Sequence, residues 1–176
     1  PDFTVVQALR TPVFYIITVA QISSSVSIVT LSLHLVPKLT DIGFSLGGAG
    51  VVVLTYTAMA LPAQFAAGFI ADRLPKPPVI FVLLILQSIA IMLLAVAENA
   101  PMAYLFAVLY GVGFGGRIPL LTAIRGEYFG RKAFATIMGM SYLPSSVVMI
   151  VAPLFAGYMF DTTGSYAVPF TTFAVF

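Results

Sequence analysis

Hydrophobic and polar positions in this chain segregate into long blocks instead of repeating at the period of an amphipathic helix or strand. Extended apolar runs are separated by short clusters of charge and turn formers, namely PKLTDIG, DRLPKPP, AENAP, RGEYFGRK and DTTGS. A helix rising 1.5 Å per residue needs about 20 apolar residues to cross roughly 30 Å of hydrocarbon. By that measure the pattern predicts complete spans over 12–36, 45–71, 78–97, 101–124 and 133–160, and an incomplete one over 166–176. The predicted fold is all-α, a six-helix transmembrane bundle occupying 1–176 as one unit.

Composition sharpens this picture. Of 176 residues 60% are hydrophobic and 8% charged, far from the balance of a soluble domain. Eight basic and six acidic residues are too few for a nucleic-acid-binding stripe, so no nucleic-acid partner is expected. The absence of cysteine excludes disulfides, thiolate metal sites and cysteine nucleophiles. No cluster of His, Asp and Glu and no serine with a nearby base stands out, so neither an enzyme nor a metal or other cofactor is expected. The opening PDFTVVQALRTPVF has no basic n-region or cleavage site and reads as a cut inside a longer chain rather than a leader.

Orientation follows from the basic residues. Arg10, Arg73, Lys76, Arg125, Arg131 and Lys132 fall on one side of the predicted topology and Lys38 on the other. The positive-inside rule makes the first side cytoplasmic and predicts a multi-pass protein of the cell membrane, with the lipid bilayer as its surroundings.

Arg117 stands apart, inside a span, in the stretch YGVGFGGRIPLL. Gly111, Gly113 and Gly116 match G-x-G-x-x-G, but the preceding strand, the soluble helix and the acidic residue about 20 positions on are missing, so a nucleotide cradle is set aside. Gly111 and Gly115 read instead as a G-x-x-x-G edge admitting a neighbouring backbone. Pro119 frees the carbonyl of Gly115 and predicts a kink. A guanidinium at the depth of Arg117 costs from about 3 to more than 10 kcal/mol unless it meets a counter-charge, water or the interface. Three readings stay open: snorkelling to the cytoplasm, an ion pair outside this chain, or an anion-binding group in an aqueous path. No Asp or Glu lies inside a span, so Arg117 reads as an embedded cation without a partner at its depth.

Further polar positions lie on the first span, where Ser23, Ser27, Thr30 and His34 share one helical face, widened by Gln21, Ser24, Ser25 and Ser32. Gln64 in the second span and Ser141, Tyr142, Ser145 and Ser146 in the fifth add to them. The third span, VIFVLLILQSIAIMLLAVA, is nearly featureless. This contrast predicts that the first, second, fourth and fifth spans surround a pathway and that the third lies outside, against lipid.

The second span ends GFIADR and the fifth GYMFDT, a shared G-x-x-x-D step after Gly68 and Gly157 on opposite membrane faces. Three spans followed by three inverted ones is an arrangement found in transporters. The stretch GFIADRLPK resembles the loop motif of the major facilitator superfamily. The segments FTVVQALRTPVFY, HLVPKLTDIGFS, EYFGRKAFATIMG and APLFAGYMFDTTGSY resemble its monocarboxylate-transporter and oxalate/formate-antiporter branch. The resemblance covers essentially the whole chain and implies helices seven to twelve, a C-terminal half with a 3+3 inverted repeat and a truncated last helix. It implies gating roles for Gly68, Asp72 and Arg73, with Pro75 and Pro77 departing from the motif, and for Glu127 and Arg131, which would form a charge cluster with Arg73 and Arg125. Relatives of this branch place a basic residue in helix eight or eleven, where this chain has none.

These readings lead to an expected function. The chain is expected to be part of a secondary active transporter moving a small solute, an anionic carboxylate, by alternating access. Arg117 would attract the anion, with Ser23, Ser27, Thr30, Gln64 and Tyr142 lining the path, and the absent N-terminal six-helix half would complete it. The alternative is a membrane sensor or binding protein that keeps the fold without moving solute.

Overall fold

A computed structural model describes residues 2–163, apart from the side chains of Thr30, Ala156 and Phe160. A short helix, α1 (Val5–Leu9), is followed by five long ones: α2 (Pro12–Asp41), α3 (Leu46–Ala71), α4 (Lys76–Ala95), α5 (Ala100–Phe129) and α6 (Phe134–Thr163). All five contain a stretch long and apolar enough to cross a membrane. The incomplete span expected at 166–176 lies outside the described residues.

Local sequence sets the helix starts. Thr11, Ser45 and Asn99 each accept a hydrogen bond from the backbone N–H three residues on, and Pro12 and Pro101 occupy first-turn positions where a missing N–H costs nothing. Gly43 and Gly130 follow α2 and α5 with φ of 95° and 75°, values that disfavour any residue bearing a Cβ.

Two helices outrun their expected ends. PKLTDIG reads as a connection, yet α2 continues through Pro37 to Asp41; RGEYFGRK reads likewise, yet α5 continues to Phe129. Proline within a helix forfeits one backbone hydrogen bond without having to end it, and the chain turns only where a glycine adopts positive φ, at Gly43 and at Gly130, while Gly126 stays helical. Helix α5 also runs through Pro119 without a break.

Packing divides the helices. Helix α5 is embraced by α3 and α4, α2 pairs chiefly with α6, and the two groups meet sparingly. The glycines of α5 explain the first association. A Cβ on Gly115 would stand 2.6 Å from Ala60 Cα, and one on Gly111 would stand 2.7 Å from Met59 Cβ, so α3 rides directly on the G-x-x-x-G edge. Gly113 faces α4, where a Cβ would meet the Leu83 carbonyl oxygen at 2.9 Å. Small residues thus place α5 at the centre of the larger group.

Apolar packing forms two large clusters along the helix axes and a small third one, Val26, Val29 and Ala152, between α2 and α6. One large cluster gathers Leu31, Leu35, Val52, Ile91, Leu94 and Phe106; the other gathers Phe14, Ile17, Ile80, Leu120, Ile124 and Phe129. Between the two large clusters α2 carries the buried Gln21, Ser24, Ser25 and Ser27, α4 carries Gln87 and α5 carries Arg117. The outer surface is apolar, with Leu46, Phe65, Ile16 and Leu154 well exposed, as suits a hydrocarbon solvent.

The connections predicted to share a side do so. Phe3 N–H donates to the Phe129 carbonyl at 3.0 Å, and Lys76 at the start of α4 pairs with Glu127 at the end of α5. At the opposite end Phe44 packs against Tyr104, their ring centroids 6.2 Å apart.

A candidate anion site in the polar layer

Arg117 is 3% exposed, too buried to snorkel toward the cytoplasm. Its Nε donates to Gln87 Oε1 at 3.1 Å, and its guanidinium carbon lies 5.5 Å from the centroid of the Phe114 ring. Gln87 is itself 2% exposed, so the third span is not the featureless lipid-facing element expected from its sequence. One amide in a run of aliphatic residues is a weak signal; its register, facing the glycine edge of α5, is what makes it a partner.

A second cation enters the same layer. Arg125, expected at the cytoplasmic end, is 1% exposed. Its Nη1 donates to the Leu121 carbonyl at 3.2 Å and its Nη2 to Gln21 Oε1 at 3.3 Å, with the Tyr142 ring centroid 5.6 Å from its guanidinium carbon. The reason is geometric: every Cα–Cβ bond of an α-helix tilts toward its N-terminus, so a long side chain near the end of α5 leans back toward the middle of the helix. The expectation that Arg117 is the sole embedded cation, without a partner at its depth, is therefore corrected. Among the described residues two guanidinium groups are buried, each held by a glutamine from another helix.

Both arginines line one cavity of about 320 Å³, between α2, α5 and α6. Gln21, Ser25 and Ile28 come from α2; Phe114, Ile118, Leu121 and Thr122 from α5; Tyr142, Ser145, Ser146 and Met149 from α6. Tyr142 lies within electrostatic reach of both cations. The Nε of Arg125 and the Oγ of Ser145 are buried with no hydrogen-bond partner among the described residues. A cavity so lined offers positive charge, hydroxyl groups and aromatic faces, with no carboxylate on its wall among the described residues. Its chemistry is that of an anion receptor.

Other expected lining residues lie elsewhere. Ser23 faces a separate cleft of about 310 Å³ between α2 and α4, walled by Ile16, Val19, Phe81 and Ile85 among others. Ser27 is buried and donates to the Ser23 carbonyl at 3.1 Å, a hydroxyl satisfied within its own helix. Gln64 on α3 is half-buried and lines neither cavity, and Thr30 is among the side chains left undescribed. Since α3 contributes no wall to the arginine cavity, the expected ring of first, second, fourth and fifth spans reduces to the first, fourth and fifth. Helix α3 is occupied instead with the glycine face of α5.

The charge cluster expected of Arg73, Arg125, Glu127 and Arg131 does not form. Glu127 Oε1 pairs with Lys76 Nζ at 2.5 Å, and the same ammonium donates to the Ala71 carbonyl at 3.1 Å. Arg73 lies over the Phe69 ring, 3.6 Å from its centroid, while Arg125 points inward. The backbone N–H of Arg131 donates to Asp2 Oδ1 at 3.1 Å. Asp72 caps the exposed end of α3, and Gly68, one turn earlier, is half-buried with open space where its Cβ would stand.

The family model described as Major Facilitator Superfamily matches residues 13–176. The chain is similar to monocarboxylate transporter 12 of Rattus norvegicus, 22% identical over 89% of this chain and 33% of that protein. Monocarboxylate transporter 13 of Rattus norvegicus is 26% identical over 81% of this chain and 34% of that protein. A protein of Bacillus subtilis (strain 168) named uncharacterized transporter YycB is 27% identical over 72% of this chain and 32% of that protein. The chain thus spans about a third of the length of these curated relatives. With the family model covering all five long helices, the chain belongs to the major facilitator superfamily, whose members are integral membrane transporters and not enzymes.

Proposed function

We propose that this chain is the C-terminal six-helix half of a secondary transporter that carries a small carboxylate anion across the cell membrane by alternating access. The observation that carries the proposal is the pair of buried guanidinium groups, Arg117 and Arg125, lining one cavity with no acidic side chain on its wall. An uncompensated buried guanidinium is costly in hydrocarbon and is tolerated where it faces water or an anion. Transporters of this architecture bind solute near the midplane between two helix repeats, which accords with a polar layer flanked by two apolar clusters. Helix α6, which packs chiefly on α2 and leaves Leu143, Val147, Ile150 and Leu154 exposed, would meet the N-terminal half. The similarity to transporters named for monocarboxylates supports a carboxylate as cargo.

The test is uptake of labelled carboxylates into liposomes holding the full-length carrier. Uptake against a gradient is expected, and Arg117→Gln is expected to abolish both uptake and binding while the protein still inserts and purifies as a monodisperse species. Binding without accumulation would favour a sensor that keeps the fold. Unchanged affinity of Arg117→Gln for every anion tried would sink the anion-site reading.

A further inference from the structure

We infer that the cavity is built for a small dicarboxylate, with Arg117 and Arg125 each taking one carboxylate, and not for a monocarboxylate. This deepens the proposed function and rests on its placing the anion in the arginine cavity.

The inference starts from how the two cations are held. Gln87 accepts from Arg117 Nε and Gln21 accepts from Arg125 Nη2. Both glutamines are buried, and each orients a guanidinium without neutralising it, because an amide oxygen carries a dipole and no net charge. A carboxylate at either place would cancel the charge it positioned. The wall therefore keeps two full positive charges.

Donor capacity points the same way. Among the described residues Arg117 spends only Nε, leaving both terminal nitrogens for the bidentate fork that matches a carboxylate. Arg125 has spent one bond from each terminal nitrogen, but its buried Nε has no partner among the described residues. A monoanion would satisfy one guanidinium and leave the other desolvated and uncompensated, the arrangement that costs most in a low dielectric.

The space between the charges excludes a bare inorganic dianion as the better fit. The arginines stand eight residues apart, roughly 12 Å along the α5 axis at 1.5 Å per residue, and the backward lean of both side chains preserves that stagger. Phe114, Ile118 and Leu121 lie on the same cavity wall and suit a short hydrocarbon linker. A volume of about 320 Å³ is at the small end for ligand pockets, which limits the linker to a few carbons.

The test is competition against labelled substrate binding by the full-length carrier in proteoliposomes at neutral pH. Malonate and succinate are compared with acetate and propionate, and with sulfate. The wild type is expected to bind the better dicarboxylate roughly tenfold or more tightly than either monocarboxylate, the worth of about 1.4 kcal/mol from one further charge pair. Arg125→Gln should collapse that ratio toward one, weakening the dicarboxylates roughly tenfold more than the monocarboxylates, the equivalent of about 1.4 kcal/mol. Arg125→Lys, which keeps the charge, should retain a dicarboxylate preference. Wild-type preference for acetate or propionate overturns the inference without recourse to any variant, and would mean that the second charge is met by a carboxylate of another part of the carrier. Sulfate competing better than every dicarboxylate overturns it too. The two ideas fail separately: loss of all binding in Arg117→Gln alongside a monocarboxylate preference leaves the anion site standing, whereas indifference of every anion to Arg117→Gln removes both.

Discussion

Gln87 illustrates how one residue governs a site it does not enter. Its carbonyl oxygen holds Arg117 Nε at 3.1 Å in a position sealed from solvent. Gln87→Leu would strand that N–H and is expected to destabilise the carrier by about 1–3 kcal/mol, the usual cost of an unsatisfied buried donor. Thermal unfolding in detergent would register it as a lowered midpoint, together with weaker anion binding as Arg117 loses its orientation. Gln87→Glu makes the opposite prediction for stability. A carboxylate in place of the amide would pair with Arg117, so the midpoint should hold or rise while anion affinity falls at least roughly tenfold, the equivalent of about 1.4 kcal/mol. If Gln87→Glu binds anions as tightly as the wild type, the requirement for an uncompensated Arg117 is wrong.

At the level of elements, the packing of α5 depends on hydrogen atoms where other residues have side chains. Lipid tails are as apolar as leucine, so helix association in a bilayer relies on close contact and not on water exclusion. A Cβ at Gly115 would collide with the backbone of Ala60 on α3, which has no rotamer by which to retreat. Gly115→Val should therefore cost on the order of 1–3 kcal/mol or more and separate α3 from α5. The contrast is Gly126, also helical, where the nearest atom to a new Cβ is in the Phe134 ring at 3.8 Å, an ordinary contact. Gly126→Ala should be neutral or stabilising by roughly 0.5–1 kcal/mol, because alanine loses less backbone freedom on entering a helix. Unfolding titrations of the two variants side by side decide whether the glycine edge or a general intolerance of α5 is at work.

For the whole molecule, the argument concerns orientation and the division between helix groups. This chain has no cysteine, so once any cysteine in the rest of the carrier is replaced, a single introduced thiol is an unambiguous probe of sidedness. Asp41→Cys is expected to react with a membrane-impermeant maleimide from outside intact cells, and Arg131→Cys only after permeabilisation, following the basic-residue bias. The reverse pattern would invert the topology. The Lys76–Glu127 pair ties the α3–α4 connection to the end of α5, wholly inside the larger helix group. With Glu127 58% exposed, the pair stabilises by at most about 1 kcal/mol and is screened by salt. Because Lys76 is only 13% exposed and also donates to the Ala71 carbonyl, Lys76→Glu should weaken the fold by more than the pair alone, with only partial recovery in Lys76→Glu/Glu127→Lys, read as the unfolding midpoint.

The sequence by itself determined the existence of five long apolar helices and their approximate places, which of their connections share a side, and the use of Gly111 and Gly115 as a packing edge. Those features rest on length, charge and side-chain size, which act locally and survive projection onto a line. It also marked Arg117 and Tyr142, since a cation or a cluster of hydroxyls inside an apolar run is conspicuous without any neighbour. The sequence did not reveal that Gln87 is a partner, that Arg125 turns inward, that Gln64 and Ser23 face away from the arginine cavity, or that Glu127 pairs with Lys76. Each of these depends on which face of one helix meets which face of another, and so on rotation and axial register. Only the tertiary structure sets those two quantities, because they arise from backbones seated against the glycines of α5 and from the backward tilt of its side chains.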